Sequence, residues 1–128
     1  MKPIFKKFND LRVEDINVDF QIHTNWTDGQ STPEEIIEKE VELKLTAIAF
    51  TEHVNKDSDW FNDFAVKINN LKNKKEIKIF LGIEAKTIDS SGTLDAAPYM
   101  IEKSDIVMGV IHRYPDGRGG WVSSEEIN

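Results

Sequence analysis

The chain has 128 residues, enough for one domain and too few for two of ordinary size. Its 16 Lys and Arg against 23 Asp and Glu leave a formal charge of −7, which opposes general binding to nucleic acid but not to a phosphate ester held where metal ions reverse the local field. Cysteine is absent, so disulfides and thiolate metal or redox sites are excluded. No apolar run nears the roughly 20 residues of a membrane span, and the basic start MKPIFKKFNDL lacks the apolar stretch of a secretory signal, so a cytoplasmic location is expected.

In chain order, residues 17–23 (NVDFQIH) form the first short apolar run and read as a buried strand. A helix follows. Thr32 caps it, Pro33 takes its first position, Glu35 completes a T-x-x-E capping box, and Ile37 and Val41 share one face. Residues 46–53 (TAIAFTEH) are a second strand. A second helix is predicted from Ser58 to Asn73, with Phe61, Phe64, Ile68 and Leu71 on one apolar stripe; Trp60 and Phe61 read as helix packing. Residues 77–84 (IKIFLGIE) make a third strand. Residues 87–94 (TIDSSGTL) read as a small hairpin turning on Ser91-Gly92. A short helix near Ala96 to Lys103, capped by Asp95, leads to a fourth strand over residues 105–112 (DIVMGVIH).

This alternation predicts an α/β fold with parallel strands and helices packed outside; an open doubly wound sheet and a closed (β/α) barrel both fit. Both architectures place functional residues at the carboxyl ends of strands. The chain has three histidines, and His23, His53 and His112 each end a predicted strand, while Glu84 ends the remaining one. The four are spaced 30, 31 and 28 residues apart, close to one βα unit per step. Four metal-capable side chains therefore converge on one face. Histidine and glutamate without cysteine suit Zn, Mn or Fe. A glutamate can bridge two cations, and paired cations activate water and stabilise both oxygens of a phosphoryl displacement.

Asp19-Phe20-Gln21-Ile22-His23-Thr24 followed by Thr27-Asp28-Gly29 resembles the opening motif of the PHP (polymerase and histidinol phosphatase) family, D-x-H-x-H-[ST] then S-D-G. Thr51-Glu52-His53 resembles its T-D-H motif, Gly82-Ile83-Glu84 its G-x-E, and Val110-Ile111-His112 the following strand, which ends in histidine. The resemblance runs from Val18 to Pro115. It implies a distorted seven-stranded parallel (β/α) barrel, here about four βα units, and a cluster of up to three metals, usually Zn, Mn or Fe, that hydrolyses phosphate esters. By position it implies His23 and Glu84 at a first metal with Gln21 where a histidine is usual, Glu84 bridging to a second metal shared with His112, and Asp28 and His53 at a third.

Three departures stand out. Gln21 replaces a histidine and reads either as a ligand or as a hydrogen-bonded neighbour of the site. Glu52 replaces an aspartate that orients neighbours. No histidine follows His112, so the family's later ligands have no counterpart. Asp28 is either a ligand or a cap of the turn at Gly29, and Asp19 supports its strand. Beyond His112, Arg113 is the candidate for gripping a substrate phosphate, whereas Arg118 reads as a solvated loop residue. Ser123 and Glu126 look like the capping box of a helix whose body is missing. Residues 1–128 thus read as a single PHP-type domain truncated at its C-terminus, with an open sheet edge that favours self-association.

The expected function is metal-dependent hydrolysis of a small-molecule phosphate ester, with no residue assigned as general acid. The alternative is a non-catalytic metal-binding or regulatory remnant that self-associates. A flavodoxin-like binding protein shares the rhythm but would need a Gly-rich phosphate loop after the first strand, which is absent.

Overall fold

The computed structural model describes residues 3, 5–73 and 76–114. Two short 3-10 turns, Phe8–Asp10 and Val13–Ile16, precede strand β1 (Val18–Ile22). Then come helix α1 (Pro33–Glu42), β2 (Ala47–Val54), α2 (Phe61–Leu71), β3 (Lys78–Lys86), α3 (Pro98–Lys103) and β4 (Ile106–Val110). The strands pair in sequence order, β1-β2-β3-β4, and every pairing is parallel. They form a curled half-barrel with the helices interleaved, a partial parallel β/α barrel.

Local chemistry accounts for the elements. At α1 the Thr32 hydroxyl accepts from Glu35 N at 3.1 Å and the Glu35 carboxylate accepts from Thr32 N at 3.2 Å, closing the expected capping box ahead of Pro33. The stripe of α2 is buried through Phe61, Phe64 and Ile68. These pack with Ile37 and Met100 against Ile48 and Phe50 of β2 and Ile79, Leu81 and Ile83 of β3. Each large side chain so buried contributes about 1.5–3 kcal/mol.

Four boundaries differ from expectation. β3 continues two residues beyond Glu84, to Lys86. α2 starts at Phe61 because Ser58 is spent in a turn, where its hydroxyl accepts from Asn55 N at 2.9 Å. α3 starts at Pro98 after Ala97, with no side-chain cap. Asp95 accepts from Lys56 N at 3.0 Å instead and so joins the loop after β2 to the loop before α3. β4 ends at Val110, two residues before His112. The hairpin forms as expected, with a Thr87–Leu94 antiparallel bridge and Gly92 at φ 83°. Arg118 and the capping box of Ser123 and Glu126 lie outside the described residues.

One irregularity shapes the inner face of the sheet. Asp19 pairs with Ile48 and Ile22 with Phe50, so three residues of β1 span two of β2. This is a bulge, and it breaks the strict alternation of faces. Asp19 and Ile22 keep to the helix side, while Phe20 and Gln21 both reach the inner side. The Phe20 ring meets Phe80 edge-on at 6.1 Å. Phe80 pairs with Ala49, whose small side chain leaves room for both rings. Gly82 keeps the middle of β3 close to its neighbours: a Cβ there would lie 2.9 Å from Ile106 O and 2.9 Å from Thr51 Cγ2. Gly82→Ala is therefore expected to destabilise the fold by about 1–3 kcal/mol through overpacking. Phe64→Ala is expected to cost about 3–5 kcal/mol through the cavity it leaves. Urea unfolding followed by circular dichroism measures both.

Candidate metal centre

β1, β2 and β3 deliver their carboxyl ends side by side. Register places His53 of β2 directly opposite Glu84 of β3, and the bulge brings Gln21 to the same face. Glu84 is only 4% exposed. Gln21 Nε2 donates to Glu84 Oε1 at 2.8 Å, and His23 Nε2 lies 3.7 Å from the same oxygen. His53 Nδ1 lies 2.6 Å from Glu84 Oε2. The His23 and His53 rings sit 4.3 Å apart, tilted by 40°. His23, His53 and Glu84 each present one donor atom within 4.8 Å of the others, a set that could hold a metal ion.

The loop after β1 completes the wall. Gly29 N donates to Thr24 O at 2.9 Å, and a Cβ on Gly29 would lie 2.5 Å from His23 O. Only glycine allows that approach, which folds Asp28 back over the imidazoles. Asp28 Oδ2 is 3.0 Å from His53 Nε2, and Oδ1 is 3.4 Å from His23 Nδ1. Burial pushes the Asp28 carboxyl up, but the His53 and His23 rings and the hydrogen bond to His53 outweigh it and hold the group below its ordinary value. Trp26 anchors this loop by packing on Trp60 and Phe64 of α2 at 6.1 and 5.4 Å.

Beneath His23 lies a polar clamp. Thr24 and Glu52 are both fully buried; Thr24 N donates to Glu52 Oε1 and Thr24 Oγ1 to Oε2, each at 2.7 Å. Glu52 alternates with His53 along β2, so it faces the helix side while His53 faces the site. Its longer side chain still reaches a useful partner where aspartate is usual. Burial raises the Glu52 carboxyl above its ordinary 4.5, against the lowering effect of both Thr24 hydrogen bonds.

Of the residues expected at the site, Gln21, His23, Asp28, His53 and Glu84 come together. His112 stands beside them, because β4 ends at Val110 and the chain turns before reaching it. Its exposed ring is 6.3 Å from that of His53, outside the three-donor set. Arg113 lies next to it, lining a cleft with Lys86, Thr87 and His112. The sequence pointed to Glu52 as a residue that orients its neighbours, but its partner Thr24 and the place of Lys86 went unread. The only available signals were the Thr following His23 and the spacing of Lys86 two residues beyond Glu84.

A parallel β/α half-barrel whose strand ends bring histidines and a carboxylate together defines a class of α/β domain with a candidate metal site. Within that class, the sequence pattern of the PHP domain matches residues 19–126, most of the chain, and the chain belongs to that family. No curated protein matches it. No described helix is long and apolar enough to cross a membrane.

Glu52 yields a pH prediction. A glutamine there keeps both contacts, since its carbonyl accepts from Thr24 N while its amide donates to Thr24 Oγ1. The raised carboxyl means that, as pH climbs from 4.5, the unfolded chain releases this proton before the folded one does. Folding stability from this group therefore falls with rising pH. Glu52→Gln should fold and should lack that component. Urea unfolding of the metal-free proteins at stepped pH should show the variant gaining on the parent as pH rises; a constant difference would contradict this.

Proposed function

We propose that the domain is a metal-dependent phosphoesterase acting on a small-molecule phosphate ester at the strand ends of β1, β2 and β3. One observation carries the reading. Glu84 Oε2 and His23 Nδ1 are buried yet have no hydrogen-bond partner among the described residues. His53 Nδ1 stands 2.6 Å from Glu84 Oε2 without the alignment of a hydrogen bond. Buried donors and acceptors left unpaired are costly, and converging on a cation satisfies them. Membership of the PHP domain family supports the same reading.

Gln21, His23, His53 and Glu84 are the residues that would hold metal, with Asp28 and His112 at the rim of the cluster. A cysteine-free set of imidazole, carboxylate and amide donors suits Zn, Mn or Fe. When bound, such ions supply activated water and neutralise charge on the phosphoryl oxygens. The chain's own residues do the rest. Glu84 offers two oxygens and so can serve two ions. Asp28 orients the His53 ring through its Nε2 contact and fixes which nitrogen faces Glu84. The Glu52 clamp sets the backbone of Thr24 and with it the position of His23. Arg113 presents a guanidinium at the mouth of the site to the anionic substrate.

A second reading is a non-catalytic metal-binding module that self-associates. It draws on the apolar side chains exposed before β1: Phe8 is 85% exposed, and Phe5, Val13 and Ile16 are also exposed.

Elemental analysis and a phosphatase assay test the proposal. The parent should contain divalent metal and hydrolyse p-nitrophenyl phosphate, with activity lost to a chelator and restored by Mn or Zn. Glu84→Gln should lower metal content more than Gln21→Ala and reduce kcat/KM by at least about 100-fold, beyond what loss of an outer hydrogen-bond partner costs. Metal without turnover, in a chain that light scattering shows to be oligomeric, would favour the second reading. Equal metal content in both variants would refute the assignment of Glu84.

A further inference from the structure

Two features outside the strand-end cluster fit each other. The first is a groove of about 350 Å³ between α1 and the end of α2. Glu34, Ile37, Glu38 and Val41 line it from one stripe of α1, at i, i+3, i+4 and i+7, and Leu71 and Glu76 complete it. Ile37, Val41 and Leu71 belong to the core or pack against it, so the groove has an apolar floor and acidic residues around it. Lys67 pairs with Glu34, whereas among the described residues no ion pair engages the carboxylates of Glu38 and Glu76.

The second feature is the segment before β1. Residues 2–8 read KPIFKKF, three lysines with no acidic residue. Phe5 is 61% exposed and Phe8 85%. Lys7 lies between them in the polyproline range, at φ −68° and ψ 149°. Residues three apart along such a run share a side, about 9 Å from each other, which suits Phe5 and Phe8 to one surface. Lys6 is paired with Asp15, and among the described residues no ion pair engages Lys7.

Size and charge both match. An apolar cavity of about 150 Å³ takes one benzene ring, so the groove has space for two. A basic segment suits the three carboxylates around it, of which one is already neutralised by Lys67. No residue of the segment lines the groove of its own chain.

We propose that the segment carrying Phe5 and Phe8 docks in the α1–α2 groove of a second copy of this chain, and that reciprocal exchange closes a two-fold dimer. Exchange in both directions occupies both grooves, whereas a head-to-tail contact leaves one open. Four rings at roughly 150–250 Å² each remove about 600–1,000 Å² from water, and the groove walls they cover bring the total to the about 1,200 Å² of a small stable interface. The exchange gives self-association a defined interface without requiring loss of catalysis, because neither surface contributes a residue to the strand-end cluster.

Sedimentation equilibrium on the 128-residue chain tests the exchange. The parent should show a concentration-dependent dimer. Phe5→Ser with Phe8→Ser should raise the dimer Kd at least about 100-fold, with an unchanged circular dichroism spectrum because both rings are exposed. Glu38→Lys with Glu76→Lys, and separately Lys6→Glu with Lys7→Glu, should each weaken self-association about tenfold or more, since segment and groove then carry the same charge. An equimolar mixture of these two charge variants should dimerise as the parent does, because each docking in the mixed dimer joins opposite charges. A parent that stays monomeric at every concentration reached would overturn the proposal. So would a dimer that survives loss of both rings, which would place the interface on another surface such as the β4 edge. Failure of the mixture to recover the dimer would equally refute the pairing of segment with groove.

Discussion

Glu84 is a carboxylate buried to 4% exposure at the end of an interior strand. An ionised group in that position is expensive unless its oxygens are engaged. Its surroundings answer that constraint. Gln21 approaches from β1 and His53 from β2, and His23 closes over both. The bulge in β1 puts Gln21 within reach. Among the described residues Glu84 Oε2 and His23 Nδ1 have ionic neighbours, His53 and Asp28, but no hydrogen bond. Folding has thus assembled a set of donors that could hold a metal ion.

The hydrophobic core and the site are coupled through a few side chains rather than through the sheet alone. Trp26 ties the loop after β1 to the aromatic stripe of α2. Glu52 reaches from the helix face of β2 to Thr24, the residue after His23. Gly29 permits the turn that returns Asp28 to the imidazoles. Trp26 and Glu52 act on neighbours of the donors, whereas Gly29 packs against the backbone of His23 itself. The imidazoles consequently have positions set by packing around them and by their contacts with Asp28 and Glu84.

The electrostatics divide the strand ends into two regions. Where β1, β2 and β3 end, His23, His53 and the Glu84 carboxylate stand together with Asp28 over the imidazoles, a set that could hold a metal ion. Beside it, Lys86 at the end of β3 and Arg113 after β4 line a cleft with Thr87 and His112. The net charge of a protein says little about a site when charged groups are sorted this finely over a few residues.

The strands, helices and strand-end donors were readable from the sequence because they depend on local order. Apolar runs separated by one βα unit locate the strands, although β3 ends at Lys86 rather than Glu84 and β4 at Val110 rather than His112, and a T-x-x-E box before a proline specifies where α1 begins. His23, His53 and Glu84 were found by that logic, and they meet as it requires. Boundaries decided by competing side-chain bonds were not readable: Ser58 and Asp95 each serve a turn or a loop instead of a helix start. The PHP motifs pointed to Gln21 and Asp28 but left both between ligand and neighbour, and the fold alone shows what they touch. The contact between Gln21 and Glu84 joins residues 63 apart and exists because of one extra residue in β1. The same holds for the turn that leaves His112 beside the cluster and for the pairing of Lys86 with Arg113 across one cleft. Which face a strand residue takes depends on register with its neighbour, and register is a property of the paired sheet, not of either segment read alone.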